Sequence, residues 1–412
     1  MALPLAGMTV LSVESTGAAP YGSMFLADLG AEVIKLEDIA TGGDASRATG
    51  PHFLGSKGDS HYFQTFNRNK KSIAVDLRHP AGQEVLRALA GQSDALLNNL
   101  RGDVPEKLGL VYEALQDVNP AIVCVHLSAY GRDNERRAQP GYDFLMQAEA
   151  GFMSVTGDPD GPPTRMGLSI IDYISGLTAA VGLLSGVMGA RQSGRGSDID
   201  TCLFDVALHQ LAYVATWYLN EGTVVSRLPR SAHPSLAPTQ MFRSADGWVM
   251  IMCMKDKFWN ALIDCLGRPD LALDERFSSM QRRRDHLREL TEVLDAEFVQ
   301  APTAHWLDAL AGKLPVAPVN DIAEALDNPF LQQTGMIEQL AHPDRDDFRL
   351  LANPIKVAGQ RLAGRPCGRL GADTAAVLHR FGFDDARIAE LAAQGAVHIA
   401  SEDRENKPCK NE

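Results

Sequence analysis

The chain reads as an α/β protein, with a large domain built on a parallel sheet and a smaller α+β domain. Three observations predict this. Residues 8–37 run strand, turn, helix, strand, a βαβ opening that implies parallel strands joined by a right-handed crossover. Strand-like and helical patterns then alternate to about residue 131. At 222–240 the pattern gives way to GTVVSRLPRSAHPSLAPTQ, rich in Ser, Pro and Arg, before a hairpin and a run of helices. The expected boundaries are 1–224 for the first part of the large domain, 225–325 for the small domain with its linkers, and 326–412 for a segment that returns to the large domain.

In order, MTVLSVE (8–14) is apolar and β-rich, and small residues at 15–20 form a turn. Residues 21–29 are helical, Gly30 stops the helix, and AEVIKLE is the second strand. The turn reads STGAAPYG and lacks GxGxxG, so the usual dinucleotide fingerprint is absent. Residues 38–60 are polar and rich in Gly and Ser, a loop. Residues 72–77 are strand-like, and Arg68, Lys70, Lys71 and Arg78 cluster around them. That basic run is either a solvated edge or a cradle for phosphates. A helix follows at 80–90, and ALLNNL ends a strand. AIVCVHLSAYG (121–131) is a buried strand, in which His126 reads as a core histidine with its partners satisfied. Residues 132–140 form a charged loop. The apolar run 173–190 is a long helix, 197–200 a strand, and 201–219 a largely buried helix. MFRSADGWVMIMCM is a hairpin turning at Ala245-Asp246-Gly247. Helices fill 255–312, and GADTAAVLHRFGFDDARIAELAAQGAV reads helix, turn, helix. The last dozen residues, SEDRENKPCKNE, are expected to be disordered.

The composition excludes some classes. Lys and Arg total 39 against 52 Asp and Glu, a net charge of -13, which argues against general nucleic-acid binding. A polyanionic small ligand is still allowed where local basic residues meet it. The six cysteines lie far apart with no CxxC, so neither a zinc site nor a redox pair is suggested. They read as reduced thiols of a cytoplasmic protein. The opening MALPLAGMTVLSVE has no basic n-region. Residues 173–190 approach the length of a membrane span. Gly176, Gly182, Gly186 and Gly189 within them point instead to a closely packed core helix, so no membrane is expected.

The chemistry centres on Asp172, set between Ile170-Ile171 and the long apolar run. Burying a carboxylate there is costly without partners. As an N-cap, it would accept backbone N–H groups of a helix starting near Tyr173. As a nucleophile, it would be kept ionised by the same N–H groups and the helix dipole. Around it stand Gly141-Tyr142-Asp143, Gln147-Ala148, Gly151, Thr156-Gly157, Asp160-Gly161-Pro162-Pro163, and Gly176 four residues on. This pattern resembles the family III CoA-transferases (the CaiB/BaiF family), and the resemblance covers nearly the whole chain.

The resemblance implies a Rossmann-like large domain, a small domain, and two chains threaded into an interlocked homodimer. It implies that Asp172 is the catalytic nucleophile. The turn bearing Thr16 and Gly17 would approach the pantetheine end of CoA. Val75 and Arg78 would contact adenine and phosphate, and Asn99, Leu100 and Lys107 would line the cleft. Asp38 stands where some members carry an Arg. Tyr142 and Asp143 would lie at the acyl site. The implied reaction moves CoA between carboxylic acids through an aspartyl-CoA thioester, with acyl-CoA and a free acid as substrates and no cofactor or metal. The racemases of this fold carry a histidine base where Tyr142 stands, which argues against that activity. A non-catalytic CoA-binding module is the reading from another class. Arg227, Arg230 and His233 fall within seven positions of the linker. They either hold the distal carboxylate of a small diacid, such as succinate or a branched C4–C5 acid, or are solvated.

Overall fold

The computed structural model describes residues 3–55 and 59–400. The expected disorder of the last dozen residues lies outside the described residues. The large sheet contains β1 (Thr9–Val13), β2 (Glu32–Glu37), β3 (Lys71–Val75), β4 (Ala95–Asn98), β5 (Val123–Ser128) and β6 (Ser197–Cys202). They pair in parallel in the order β3-β2-β1-β4-β5-β6, and Val397–His398 adds an antiparallel edge beside β3. β1, β4 and β5 are almost wholly buried, as strands covered on both faces must be, so they read as continuous apolar runs. The helices that matter here are α1 (Ala18–Asp28), α2 (His61–Asn67), α3 (Pro80–Ala90), α4 (Asp143–Glu149) and α5 (Ile170–Ser193). The strand order reverses between β1 and β4. Ligands of open α/β sheets bind beyond the carboxyl ends of the strands at such a switch point.

Two glycines set the approach of α5 to α1. A Cβ on Gly176 would stand 2.2 Å from the Ala18 carbonyl oxygen, and one on Gly22 would stand 2.0 Å from the Gly176 carbonyl oxygen. No side chain fits between these backbones. Asp172 lies one turn before Gly176, so this crossing carries it to the β1–α1 turn. Gly182 and Gly186 also mark close packing, but against the sheet: a Cβ on Gly186 would lie 2.5 Å from Ile199 Cδ1 and 2.7 Å from Val123 Cγ1. By length and composition α5 could cross a membrane. Its Ile171, Ala179, Leu183 and Val187 are nevertheless buried within the protein.

The chain divides into two compact units, 1–146 with 168–210 and 332–412, and 147–167 with 211–331. This differs from the expected boundaries. Residues 147–167 and 211–224 belong with the second unit, where Arg227 donates to the carbonyl oxygens of Gly161 and Pro162. No composition shift marks the excursion at 147–167. In the second unit, Thr239–Arg243, Trp248–Met252 and Val316–Pro318 form an antiparallel sheet. Its core includes Phe242, Trp259, Phe277, Phe298 and Trp306.

Other expectations need correction. The helix expected at 201–219 is two, Leu203–Gln210 and Ala212–Glu221, and no residue of the second is buried within this chain. A hairpin, Ile337–His342 with Arg345–Leu351, is not foreseen, because its charged outer face leaves little apolar alternation. Three residues of the basic run, Arg68, Lys70 and Lys71, are spent on internal ion pairs, and only Arg78 is left at the surface. Arg68 is buried against Asp28 at 2.6 Å, Lys70 is buried against Glu14 at 2.8 Å, and Lys71 pairs with Glu32 at 2.6 Å. Buried ammonium and guanidinium groups need such partners. His126 does behave as a satisfied core histidine, 2.9 Å from both Asn98 Nδ2 and Asp198 Oδ1.

Candidate active site

Asp172 occupies the first turn of α5, and among the described residues its side chain forms no capping hydrogen bond. The helix end is capped from outside by Asp143, whose Oδ2 accepts the N–H of Ile171 at 2.6 Å and that of Asp172 at 3.0 Å. The cap expected of Asp172 is thus supplied by Asp143, which is 3% exposed. The helix begins at Ile170 rather than near Tyr173, so Asp172 sits inside its first turn and the N–H groups at its end serve Asp143.

The Asp172 carboxylate lies against the β1–α1 turn. A Cβ on Gly17 would stand 2.9 Å from Asp172 Oδ2 and 3.6 Å from the Tyr62 hydroxyl oxygen. Glycine therefore lets the backbone come up to the carboxylate. Aromatic rings surround the place: Tyr21 and Tyr173 are 4.9 Å apart between centroids, Tyr62 and Phe66 5.2 Å, and Phe66 and Tyr173 5.9 Å. Burial, and then the charge of Asp143, push the Asp172 carboxyl up to about 7. This reverses the expectation of a carboxylate held firmly ionised. Partial burial and the charge of Asp172 push the Tyr62 hydroxyl up to about 12, so near neutrality it keeps its proton. Sequence reasoning missed Tyr62, since only the fold brings α2 to α5.

The turn itself is fixed from both sides. Thr16 has φ of 70°, a left-handed conformation that costs a residue with a Cβ. Asn99, at the end of β4, accepts the Ser15 N–H at 3.0 Å and donates to the Ser15 carbonyl at 2.8 Å. Opposite it, Asp44 Oδ1 accepts from the Thr16 N–H at 3.0 Å and the Ser15 hydroxyl at 2.9 Å. Asp44 pairs in turn with the fully buried Lys35 at 2.8 Å.

A model of CoA-transferase family III matches residues 5–374. The chain belongs to CoA-transferase family III. It is 32% identical over 381 residues to the succinate–glutarate CoA-transferase of Agrobacterium fabrum, covering 91% of this chain and 95% of that one. It is 33% identical over 359 residues to the acetyl-CoA:oxalate CoA-transferase of Acetobacter aceti, covering 86% and 90%. The crystal structure of a CAIB/BAIF family protein from Brucella suis superposes with a TM-score of 0.80 at 31% identity, covering 92% of this chain and all of that one.

The residues expected to hold CoA in this transferase fall into two groups. Thr16, Gly17 and Asn99 meet at the switch point beside Asp172, with Leu100 half-buried next to them. Val75 is 1% exposed and sits in the core, paired with Val397, so its side chain presents no face to adenine. Arg78 and Lys107 are at the surface, engaged with carboxylates. Arg78 binds Asp38 at 2.9 Å and Asp76 at 3.0 Å, and Lys107 binds Asp103 at 2.7 Å. Tyr142 is 67% exposed. In the second unit, Arg230 pairs with Asp295 at 2.9 Å and stacks over Trp248, and Arg227 is held by carbonyls. His233 accepts the Ser235 N–H at 3.1 Å and lies 3.3 Å from the Tyr213 hydroxyl.

Proposed function

We propose that this family III CoA-transferase moves CoA through a thioester on Asp172. The carrying observation is the Asp172 carboxylate: packed against Gly17 at the switch point, with no hydrogen bond to it formed among the described residues. The carboxylate attacks the acyl-CoA carbonyl and expels CoA thiolate, leaving a mixed anhydride. The thiolate attacks the Asp172 carbonyl, which releases the first acid as its carboxylate and leaves aspartyl-CoA. The acceptor carboxylate reverses both steps. Each exchanges one activated acyl group for another, which divides a hard transfer into easier ones. The tetrahedral oxyanions need donors. The first turn of α1, opened by Gly17 without a side-chain cap, and the Tyr62 hydroxyl are suitable.

Arg78 and Lys107 serve the anionic end of CoA, away from the thioester. Their contacts are equal in ground and transition states, so Arg78→Ala and Lys107→Ala raise KM for acyl-CoA and leave kcat within about twofold. Steady-state kinetics decide it. A sharp fall in kcat at unchanged KM removes that residue from the CoA site.

The acid accepted is a small dicarboxylate. The relatives compared above are named for succinate, glutarate and oxalate, all diacids. Arg227, Arg230 and His233 are the proposed holders of the distal carboxylate, and Arg230 must give up Asp295 to do so. Pairing of this kind discriminates by a few kcal/mol. We expect kcat/KM for succinate to exceed that for butyrate at least ~10-fold. Alanine at one or more of the three should erase the preference. Its persistence in all three variants would remove these residues from the acid site and leave the Asp172 chemistry untouched.

The working unit is proposed to be a homodimer. On α5, Val181 and Met188 are 63% and 64% exposed in the single chain, and in the second unit Ile322 and Phe330 are 76% and 63% exposed. Large apolar faces of this kind call for a partner surface. Sedimentation equilibrium should return twice the chain mass, and a monomer at micromolar concentration would refute it.

A further inference from the structure

We propose that Asp44 is a positioning residue for the transfer: it holds the Ser15-Thr16-Gly17 turn against Asp172 and so fixes where the nucleophile's carboxylate stands. The inference rests on the reading of Asp172 as nucleophile and adds to it a residue in a loop, 38–60, that the sequence presents only as polar.

Asp44 is 4% exposed, and its partners divide by oxygen. Oδ1 accepts from the Ser15 hydroxyl at 2.9 Å, the Thr16 N–H at 3.0 Å, the Ser46 N–H at 2.8 Å and the Ser46 hydroxyl at 2.7 Å. Oδ2 meets Lys35 Nζ at 2.8 Å. The residue is itself anchored, since its N–H donates to Glu37 Oε2 at 3.0 Å, and Glu37 is held by Arg47 at 2.7 Å and by the Ser72 hydroxyl at 2.6 Å. Lys35 also donates to the Glu14 carbonyl at 3.0 Å, at the start of the same turn. The chain of support therefore runs from the buried sheet, through Lys35 and Asp44, to Thr16.

Thr16 is where that support is needed. Its φ of 70° is disfavoured for a β-branched residue, and the turn would relax if the Thr16 N–H lost its acceptor. Gly17 is the next residue, and a Cβ there would stand only 2.9 Å from Asp172 Oδ2, so the turn runs close beside the carboxylate. A relaxed turn would let water reach the carboxylate and widen its range of positions. Near-attack geometry is sensitive on this scale, where a displacement of about 1 Å can cost ~100-fold in rate. Burial is the largest influence raising the Asp172 carboxyl, so hydrating it would also lower the pH at which it ionises.

The test compares Asp44→Asn and Ser15→Ala with the parent enzyme, using acyl-CoA at saturation. Asp44→Asn leaves one oxygen for the opposed donors on Lys35 and the turn, and it is expected to lower the single-turnover rate of Asp172 thioester formation by about tenfold or more and to move the acid limb of its pH profile downward. Ser15→Ala, which removes one of the bonds to Oδ1, is expected to do the same to a smaller degree. A purely structural role would lower the melting temperature without moving the pH limb. A folded Asp44→Asn enzyme that forms the thioester at the parent rate, with the parent pH profile, overturns the proposal. Where Asp44→Asn does not fold, Ser15→Ala decides by the same two readouts. If Asp172→Ala still transfers CoA, the nucleophile reading falls and takes this proposal with it. A dead Asp172→Ala beside an unaltered Asp44→Asn sinks the positioning role alone.

Discussion

Asp172→Ala is expected to abolish CoA transfer, lowering kcat at least ~10³-fold, with the fold retained. The carboxylate makes no hydrogen bond among the described residues, and the helix end it sits on is capped by Asp143, so its removal costs the fold little. Circular dichroism and the melting temperature check the fold. Mild hydroxylamine checks the chemistry: after incubation with acyl-CoA it converts an aspartyl thioester to a hydroxamate, found by mass spectrometry on the peptide containing Asp172. An alanine variant with parental turnover, or a hydroxamate on another residue, would refute the mechanism.

The second large effect is on pH. In the proposed mechanism the nucleophile is the ionised carboxylate of Asp172, which is pushed up to about 7. Below that pH the free enzyme holds it protonated, so kcat/KM should rise with pH and level off above about 7, falling about tenfold per unit well below. A carboxyl this basic is a better nucleophile once ionised than an ordinary one, which offsets the smaller ionised fraction. Asp143 is the second cause of the rise, after burial. Asp143→Asn keeps an oxygen to cap Ile171 and Asp172 while removing a like charge. Its acid limb should therefore shift to lower pH, with activity at pH 6 gaining relative to the parent. An acid limb near 4 in the parent, or one that Asp143→Asn leaves in place, would show that Asp172 does not ionise as described.

The alternation of β1, α1 and β2 was legible in the sequence because each element satisfies its own period. Apolar runs mark the buried strands, and the helix stops at Gly30, whose φ is 103°. Asp172 was legible through its motif, as a lone acid entering an apolar helix. The family match bears out the recognition and the CoA-transferase activity. The basic run misled because composition counts charges and cannot pair them. Arg68 and Lys70 have partners 40 and 56 residues away.

Sequence alone thus determined the α/β class and the transferase family, and it singled out Asp172 as the proposed nucleophile. These depend on local periodicity and on motifs whose spacing is contiguous along the chain. Only the tertiary structure decided how that residue is set. It exchanged the cap from Asp172 to Asp143, brought Gly17 and Tyr62 to the carboxylate, and tied Thr16 to Asp44 and Asn99. It also withdrew Val75 into the core. The ionisation of Asp172 depends on desolvation and on a charge 29 residues away, both properties of the packed state.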